Sequence, residues 1–324
     1  MPLTRRRLVL VNGWFLQQPT TGSGQYLTAL LREFSALQTE VRLRTLVPLP
    51  TALAGSWTPP PDLPNGMEFL PVPLPPGPDP LAKVWWEQAA LPLQCLRHRA
   101  AVLWNPYWSA PVWSPVPVAV TVHDVVPLLR PEYRQHPRQR AYLILNLLGL
   151  RKARAVITVS QAGAETLHRH VPEFRGEVAV ALNGASSGPA APPDPARIHE
   201  LRSTYGLPER FFLYLGGFER RKNVAAILKA YRRYLNLGGD PAIKLVLAGR
   251  LPARDTAVLQ HPAPLIRNLA LDGQVLLTDR VDEAVKWDLY RMSLAFLFPG
   301  LAEGFGLPVA EAMQAGTPVV TSCY

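Results

Sequence analysis

The sequence predicts an α/β chain made of two parallel-sheet halves. Three observations carry that prediction. Short apolar runs alternate with longer amphipathic ones, the pattern of strands and crossover helices. This rhythm stops at residues 184–196, a stretch rich in Gly, Ala, Ser and Pro, and then restarts. The 324 residues, 48% of them hydrophobic, suffice for two domain cores.

Arg7 to Asn12 reads as the first strand. Gly24 to Leu37 follows as a helix, because Leu27, Leu30, Leu31 and Phe34 fall on one face. Val41 to Val47 is a second strand. Pro48 to Pro80 is dense in proline and reads as a long surface loop. Helical spacing resumes from Lys83 to Arg99. Strands then fit Ala101 to Trp104 and Val116 to Val122, a helix Gln139 to Lys152, and strands Ala155 to Ser160 and Glu177 to Leu182. Beyond the linker, strands are expected at Phe211 to Leu215, Lys244 to Ala248, Val275 to Thr278, Ala295 to Pro299 and Pro318 to Thr321. Helices are expected to start at Asn223, Ala253, Asp282 and Pro308. Two Rossmann-like halves result, for which ligands are expected in a crevice at the strand ends.

Composition narrows the function classes. No run approaches the roughly 20 apolar residues that span a bilayer. Arg5-Arg6-Arg7 precedes only the short run Leu8 to Val11, which argues against a signal peptide. Cys95 and Cys323 provide neither a disulfide framework nor metal spacing, so a reduced, cytoplasmic location is expected. The net charge of +10 fits nucleic acid, an anionic membrane surface or a phosphate-bearing substrate. The arginines are dispersed and no aromatic–basic interleaving accompanies them, so nucleic acid is not an expected partner. Peripheral contact with the inner face of a membrane carrying a lipid-linked acceptor is compatible with the charge.

The most informative string is Leu301-Ala-Glu303-Gly304-Phe305-Gly306-Leu307-Pro308-Val-Ala-Glu311-Ala-Met-Gln-Ala-Gly316-Thr317-Pro318. A glycine-rich turn exposes backbone N–H groups, and Pro308 opens a helix whose N-terminus favours an anion. Glu303 falls on the turn and Glu311 about one helical turn in, a layout for holding a sugar and a ribose on either side of a diphosphate. The string closely resembles the Glu-x7-Glu signature of retaining GT4-type glycosyltransferases, which have the GT-B fold. The family's Glu-Gly-Phe-Gly-Leu-Pro, Glu-Ala-Met and Gly-Thr-Pro-Val-Val elements all have counterparts here.

Three further segments extend the resemblance. Thr20-Thr21-Gly22-Ser23-Gly24 follows the first strand and opens a helix, and its glycines let backbone approach a ligand. It is similar in position to the family's glycine loop, where acceptor and donor phosphate come close; Gly22, Ser23 and Gly24 are its candidates. Thr121-Val122-His123-Asp124-Val125-Val126-Pro127 places a histidine at a strand end. It resembles the His-Asp-x-x-Pro segment of a branch with many mannosyl- and rhamnosyltransferase-like proteins, where the histidine lies near the donor sugar. Gly216-Gly217-Phe218-Glu219-Arg220-Arg221-Lys222-Asn223 joins a strand to a helix. Its cations can grip a diphosphate. The segment resembles an Arg-Lys-Asn variant of the family's phosphate loop. Many relatives carry arginine directly after the first glycine; Gly217 stands there in this chain, so the role goes to Arg221 and Lys222.

The resemblance implies a metal-independent, retaining transfer of a hexose, with mannose the first choice, from a GDP- or UDP-sugar to a glycan or lipid-linked acceptor. No separate cofactor is implied, and the Asp-x-Asp metal motif of the other large glycosyltransferase fold is absent. His123 and Glu303 are the catalytic candidates. Arg221, Lys222, Gly304, Phe305, Gly306, Leu307 and Glu311 are the donor-binding candidates. Acceptor contacts are expected in variable first-domain loops such as Pro48 to Pro80. Family members continue past Thr-Pro-Val-Val with another strand and helices, whereas this chain ends at Tyr324. The expected domains are therefore 1–186 and an incomplete 187–324, facing each other across a cleft. The alternative reading is an inactive nucleotide-binding fragment, or a partner of an active transferase.

Overall fold

The computed structural model describes residues 7–19, 21–36, 41–53, 57–60, 63–64, 66–75, 79–185, 188 and 191–322. Thr20 of the glycine loop and Cys323 lie outside the described residues. The chain divides into two compact units, Met1–Asn183 and Gly184–Tyr324.

The first unit runs β1 (Arg7–Asn12), α1 (Gly22–Ala36), β2 (Val41–Pro50), β3 (Glu68–Leu74), α2 (Asp79–Trp85), α3 (Leu91–His98), β4 (Val102–Asn105), β5 (Val118–Val122), α4 (Val126–Leu129), α5 (Pro137–Lys152), β6 (Ala155–Thr158), α6 (Gln161–His170) and β7 (Glu177–Val180). A single wide helical turn, Trp86–Ala90, joins α2 to α3. The strands form a seven-stranded parallel sheet in the order β3-β2-β1-β4-β5-β6-β7. β1 is apolar without alternation because both its faces are covered. Leu10 faces a core with Leu46, Trp86, Leu103 and Val120. The next residue, Val11, faces the opposite core with Leu27, Leu31 and Val47. Leu27 and Leu31 are fully buried one turn apart on α1, which seats that helix on the sheet.

The second unit runs α7 (Pro195–Tyr205), β8 (Arg210–Leu215), α8 (Val224–Asn236), β9 (Ile243–Ala248), α9 (Ala263–Asn268), β10 (Val275–Asp279), α10 (Glu283–Met292), β11 (Ala295–Phe298), α11 (Leu307–Gln314) and β12 (Val319–Thr321). Its parallel sheet has the order β10-β9-β8-β11-β12. Phe211, Leu213, Leu245, Leu247, Trp287 and Phe296 lie in one buried cluster. No helix among the described residues is long and apolar enough to cross a membrane.

Three expectations are corrected. Residues 48–80 are not one long loop. β2 continues to Pro50, and β3 pairs with it in parallel from Arg44↔Glu68 to Pro50↔Leu74. The prolines are tolerated because β1 pairs with β2 only as far as Leu46, and β3 is an edge strand that needs no outward N–H donors. The helix expected at Ala253 begins instead at Ala263. Asp255 and Thr256 side chains accept backbone N–H groups of His261 and Leu259, at 2.7 and 2.9 Å, and hold residues 255–261 in a non-helical turn. The linker read to residue 196 ends earlier, because α7 starts at Pro195. Asp194 caps it by accepting the Arg197 N–H at 2.8 Å, and Arg197 ties it to Asp288 of α10 at 3.1 Å.

In each sheet the strand order reverses once, between β1 and β4 and between β8 and β11. Loops leaving neighbouring strands diverge there, which opens a crevice at their C-terminal ends.

Candidate functional site

Each of these crevices holds a polar cluster, and each cluster belongs to one unit. In the second unit the chain leaves β8 through Gly216 and Gly217 and makes a short turn, Arg220–Lys222. Asn223 ends that turn in the left-handed region, φ 58°, a conformation asparagine tolerates better than most residues. The turn separates the cations. Arg220 is exposed, whereas the side chains of Arg221 and Lys222 retain 16% and 12% of their exposure. Leaving β11, the chain returns to the same place, where Leu301 N–H donates to the Arg221 carbonyl at 2.7 Å.

Glu303 meets both cations there. Arg221 Nη1 lies 2.9 Å from Glu303 Oε1 and 3.0 Å from the Ala302 carbonyl, and Lys222 Nζ lies 3.0 Å from Glu303 Oε2. Lys222 also stands 4.7 Å over the Phe298 ring. Burial pulls the Lys222 ammonium below the ordinary lysine range; Glu303 opposes that shift and Arg221 adds to it. Two cations meet the Glu303 carboxylate here, and Glu219 is a second carboxylate that acts on Lys222.

Gly304, Phe305, Gly306 and Leu307 follow as half-buried loop and helix start. Gly306 sits at φ 84°, ψ 48°, a left-handed conformation at the start of α11 that is adopted at low cost by glycine. Glu311 lies within α11, 6% exposed, and both its carboxylate oxygens are engaged. Lys286 Nζ donates to Oε1 at 2.8 Å and Tyr290 OH to Oε2 at 3.2 Å. Glu303 and Glu311 therefore stand in different surroundings, one with the loop cations and one with α10.

In the first unit His123 follows β5. Its Nε2 lies 2.9 Å from the Pro106 carbonyl. A carbonyl only accepts, so Nε2 carries the hydrogen and Nδ1 is the ring's acceptor. Burial lowers the His123 pKa, against the Pro106 hydrogen bond and the Asp124 charge, which favours the neutral ring. Tyr26 of α1 packs edge-on at 4.6 Å. Asp124 accepts the Val126 N–H at 3.0 Å, which shapes the turn into α4. Gly22 is exposed, Ser23 half-buried and Gly24 buried at the start of α1. A Cβ on Gly24 would strike the Gln18 carbonyl, so only glycine lets the loop close against this helix. Ser23, His123 and Asp124 line one cavity of about 340 Å³.

Several residues here are not identifiable from sequence. Asn12 Nδ2 donates to Asn105 Oδ1 and to Tyr107 OH, each at 2.9 Å, across the β1–β4 switch point. Glu87, fully buried, accepts from Tyr107 and Tyr142. Polar asparagines closing two apolar strands were the available signal for the first pair. Lys286 and Tyr290 carried none, being ordinary residues of an amphipathic helix.

Fold and clusters together define a class: a two-unit α/β protein with a cation–carboxylate cluster at one switch point and a neutral histidine beside the other. A family model described as Glycosyltransferase Family 4 matches residues 20–188, and one described as Glycosyl transferases group 1 matches residues 199–324. The chain belongs to the GT4-type glycosyltransferase family. Serotype-specific mannosyltransferase WbdA of Escherichia coli is 30% identical over 204 residues, 62% of this chain and 24% of that protein. O-antigen chain mannosyltransferase B of Escherichia coli is 30% identical over 205 residues, 62% of this chain and 52% of that one. The matched region thus spans about half or less of these relatives. Sucrose-phosphate synthase from Thermosynechococcus elongatus shares the GT-B fold, with a TM-score of 0.70 at 18% identity over 98% of this chain and 82% of that one.

Proposed function

We propose that the chain is a retaining, metal-independent glycosyltransferase that moves a hexose from a nucleotide-sugar donor to a glycan or lipid-linked acceptor. The observation that carries this reading is the convergence of Arg221, Lys222 and Glu303 at the second switch point. As the bond from sugar to diphosphate breaks, negative charge grows on the leaving group. Fixed cations that meet that charge favour the transition state over the ground state. Arg221 and Lys222 take this role and replace a metal ion. Glu303, released from them by the incoming diphosphate, turns to the sugar hydroxyls together with the Gly304–Leu307 backbone. Glu311 holds the ribose hydroxyls. His123, neutral and with Nδ1 able to accept, is the catalytic candidate of the first unit and lines one cavity with Ser23 of the first turn of α1.

Mannose is the first choice of sugar and GDP of carrier. The support is the His123-Asp124 segment and the similarity to two proteins named as mannosyltransferases. UDP-sugars are the second choice. The proposed location is the cytoplasm, and the net charge of +10 is compatible with peripheral contact at the inner face of a membrane.

Calorimetric titration of GDP, UDP and ADP into the chain, beside Lys222→Ala and Glu311→Ala variants, tests the reading. Selective binding of one nucleotide, weakened at least about tenfold in both variants, is expected from the loss of one charge-assisted contact in each. Equal binding by wild type and variants sinks the assignment. Binding without turnover of the matching nucleotide sugar would favour the non-catalytic alternative.

A further inference from the structure

The first unit carries an apolar surface that the roles above leave unused. Leaving α4, the chain makes a short turn, Pro131–Arg134, and then enters α5. Turn and helix frame a groove of about 530 Å³. Leu128, Leu143, Ile144 and Leu147 line it, and its charged lining, among the described residues, is Arg134 and Arg140. Leu128 and Leu147 also pack against the core. Ile144 and Leu148, one turn apart on α5, are 58% and 41% exposed, and Leu129 of α4 is 37% exposed. Arg140, Ile144, Leu148 and Lys152 follow one another at four-residue spacing and so form one row on α5, with a cation at each end and two apolar side chains between. Large apolar side chains grouped in this way mark an interaction surface, unlike single ones scattered over a protein.

Charge narrows what docks there. From Val126 to Lys152 the chain has six cations, Arg130, Arg134, Arg138, Arg140, Arg151 and Lys152, and one carboxylate, Glu132. Glu173, beyond α6, meets Arg151 at 3.2 Å. Set against both carboxylates, the cations leave this face at +4. Arg140 Nε donates to the Arg134 carbonyl at 2.9 Å, which holds its guanidinium beside the groove. A second copy docked on the same face would set arginines against arginines. A soluble anion would leave the apolar row in water. An anionic lipid surface satisfies both parts: its phosphates take the guanidinium groups, and its acyl boundary takes Ile144 and Leu148.

We propose that this face of α5, with the turn before it, docks the protein on an anionic phospholipid surface. Ile144 and Leu148 enter the acyl boundary, and Arg134 and Arg140 meet lipid phosphates at the groove. The surface gives a defined place to the peripheral membrane contact offered above and rests on that part of the reading, not on the transfer chemistry.

The test is co-sedimentation of the whole chain with vesicles of phosphatidylcholine alone, and of phosphatidylglycerol and phosphatidylcholine in equal parts. Two double variants are compared with wild type: Ile144→Ser with Leu148→Ser, and Arg134→Gln with Arg140→Gln. Leu237→Ser serves as control, because Leu237 is a 77% exposed apolar side chain of the second unit. Circular dichroism verifies that each variant folds. Wild type is expected to bind the mixed vesicles at least about tenfold more tightly than phosphatidylcholine. The serine pair should weaken binding about tenfold, through lost transfer of two partly exposed apolar side chains into lipid, and the glutamine pair by roughly fivefold per arginine. Leu237→Ser should bind as wild type does. Should one pair not fold, the other still decides. Equal binding to the two vesicles, an equal loss in Leu237→Ser, or full binding by the folded groove variants, which would leave the groove to a protein partner, overturns the proposal. So does a wild type that binds neither vesicle. The transferase reading is decided separately by the nucleotide titration, in which the serine pair should match wild type.

Discussion

Replacing Lys286 by methionine should unmask how much the second unit relies on a buried ion pair. Lys286 Nζ and Glu311 Oε1 are 2.8 Å apart, with side chains 10% and 7% exposed. At an effective dielectric constant of about 20, their attraction is roughly 6 kcal/mol before desolvation is subtracted. Desolvation consumes much of that, so the intact pair adds little net stability. Breaking it is different, because a buried carboxylate loses the Lys286 ammonium while Tyr290 still donates to it, at about 3–5 kcal/mol. Glu283, the other carboxylate beside Lys286, is mostly exposed and loses little. Methionine refills part of the volume, so the expected loss is about 3 kcal/mol, or about 1.5 M in the urea midpoint at a slope of roughly 2 kcal/mol/M. The assay is urea unfolding of wild type, Lys286→Met, and Lys286→Met with Glu311→Gln. The double variant should recover at least about 2 kcal/mol of the loss, because its buried group is no longer charged. A single variant within about 0.5 kcal/mol of wild type, or a double variant less stable than the single, would refute the reasoning.

Three other outcomes can be checked on the same instruments. Gly24→Ala should destabilise by about 1–3 kcal/mol, because its Cβ meets the Gln18 carbonyl, whereas Gly22→Ala, with open space around it, should stay within about 0.5 kcal/mol of wild type. Asp194→Ala should cost about 1 kcal/mol in thermal or urea unfolding through loss of the α7 cap. His123 has a lowered folded pKa, so it imposes no penalty above its unfolded value near 6.5 and destabilises the fold as pH falls from there through the folded value. His123→Gln should therefore lose less stability than wild type between pH 7.5 and pH 5, and equal losses would show that His123 is not the titrating group.

Much of the fold is legible in the sequence because it rests on local periodicity. β1, β5 and β8 are continuous apolar runs, as strands covered on both faces must be, and α1 shows its buried leucines at helical spacing. The failures are also local in origin. Proline density makes residues 48–80 look like a loop, since sequence alone does not reveal that β1 stops pairing at Leu46 and that β3 lies at the sheet edge. At Ala253, turns closed by Asp255 and Thr256 outcompete a helix that composition permits. α7 is obscured because its capping residues, Asp194 and Pro195, belong to a stretch whose composition reads as linker.

The candidate residues divide in the same way. His123, Glu303, Arg221, Lys222 and the glycines stand out because each lies in a short string next to a strand end, where loop chemistry is written contiguously. By itself the sequence determined the two-unit α/β plan, the family, and which loops carry the candidate chemistry. Only the tertiary structure decided that Arg221 and Lys222 turn inward to Glu303 while Arg220 faces out. It alone set Glu311 on Lys286 and caged Lys83 among four rings over Glu87. Except for Lys83 and Glu87, which are four positions apart, those contacts join residues distant in the sequence, such as Arg221 with Glu303 and Lys286 with Glu311, and their energies depend on distance and desolvation, which no local pattern encodes.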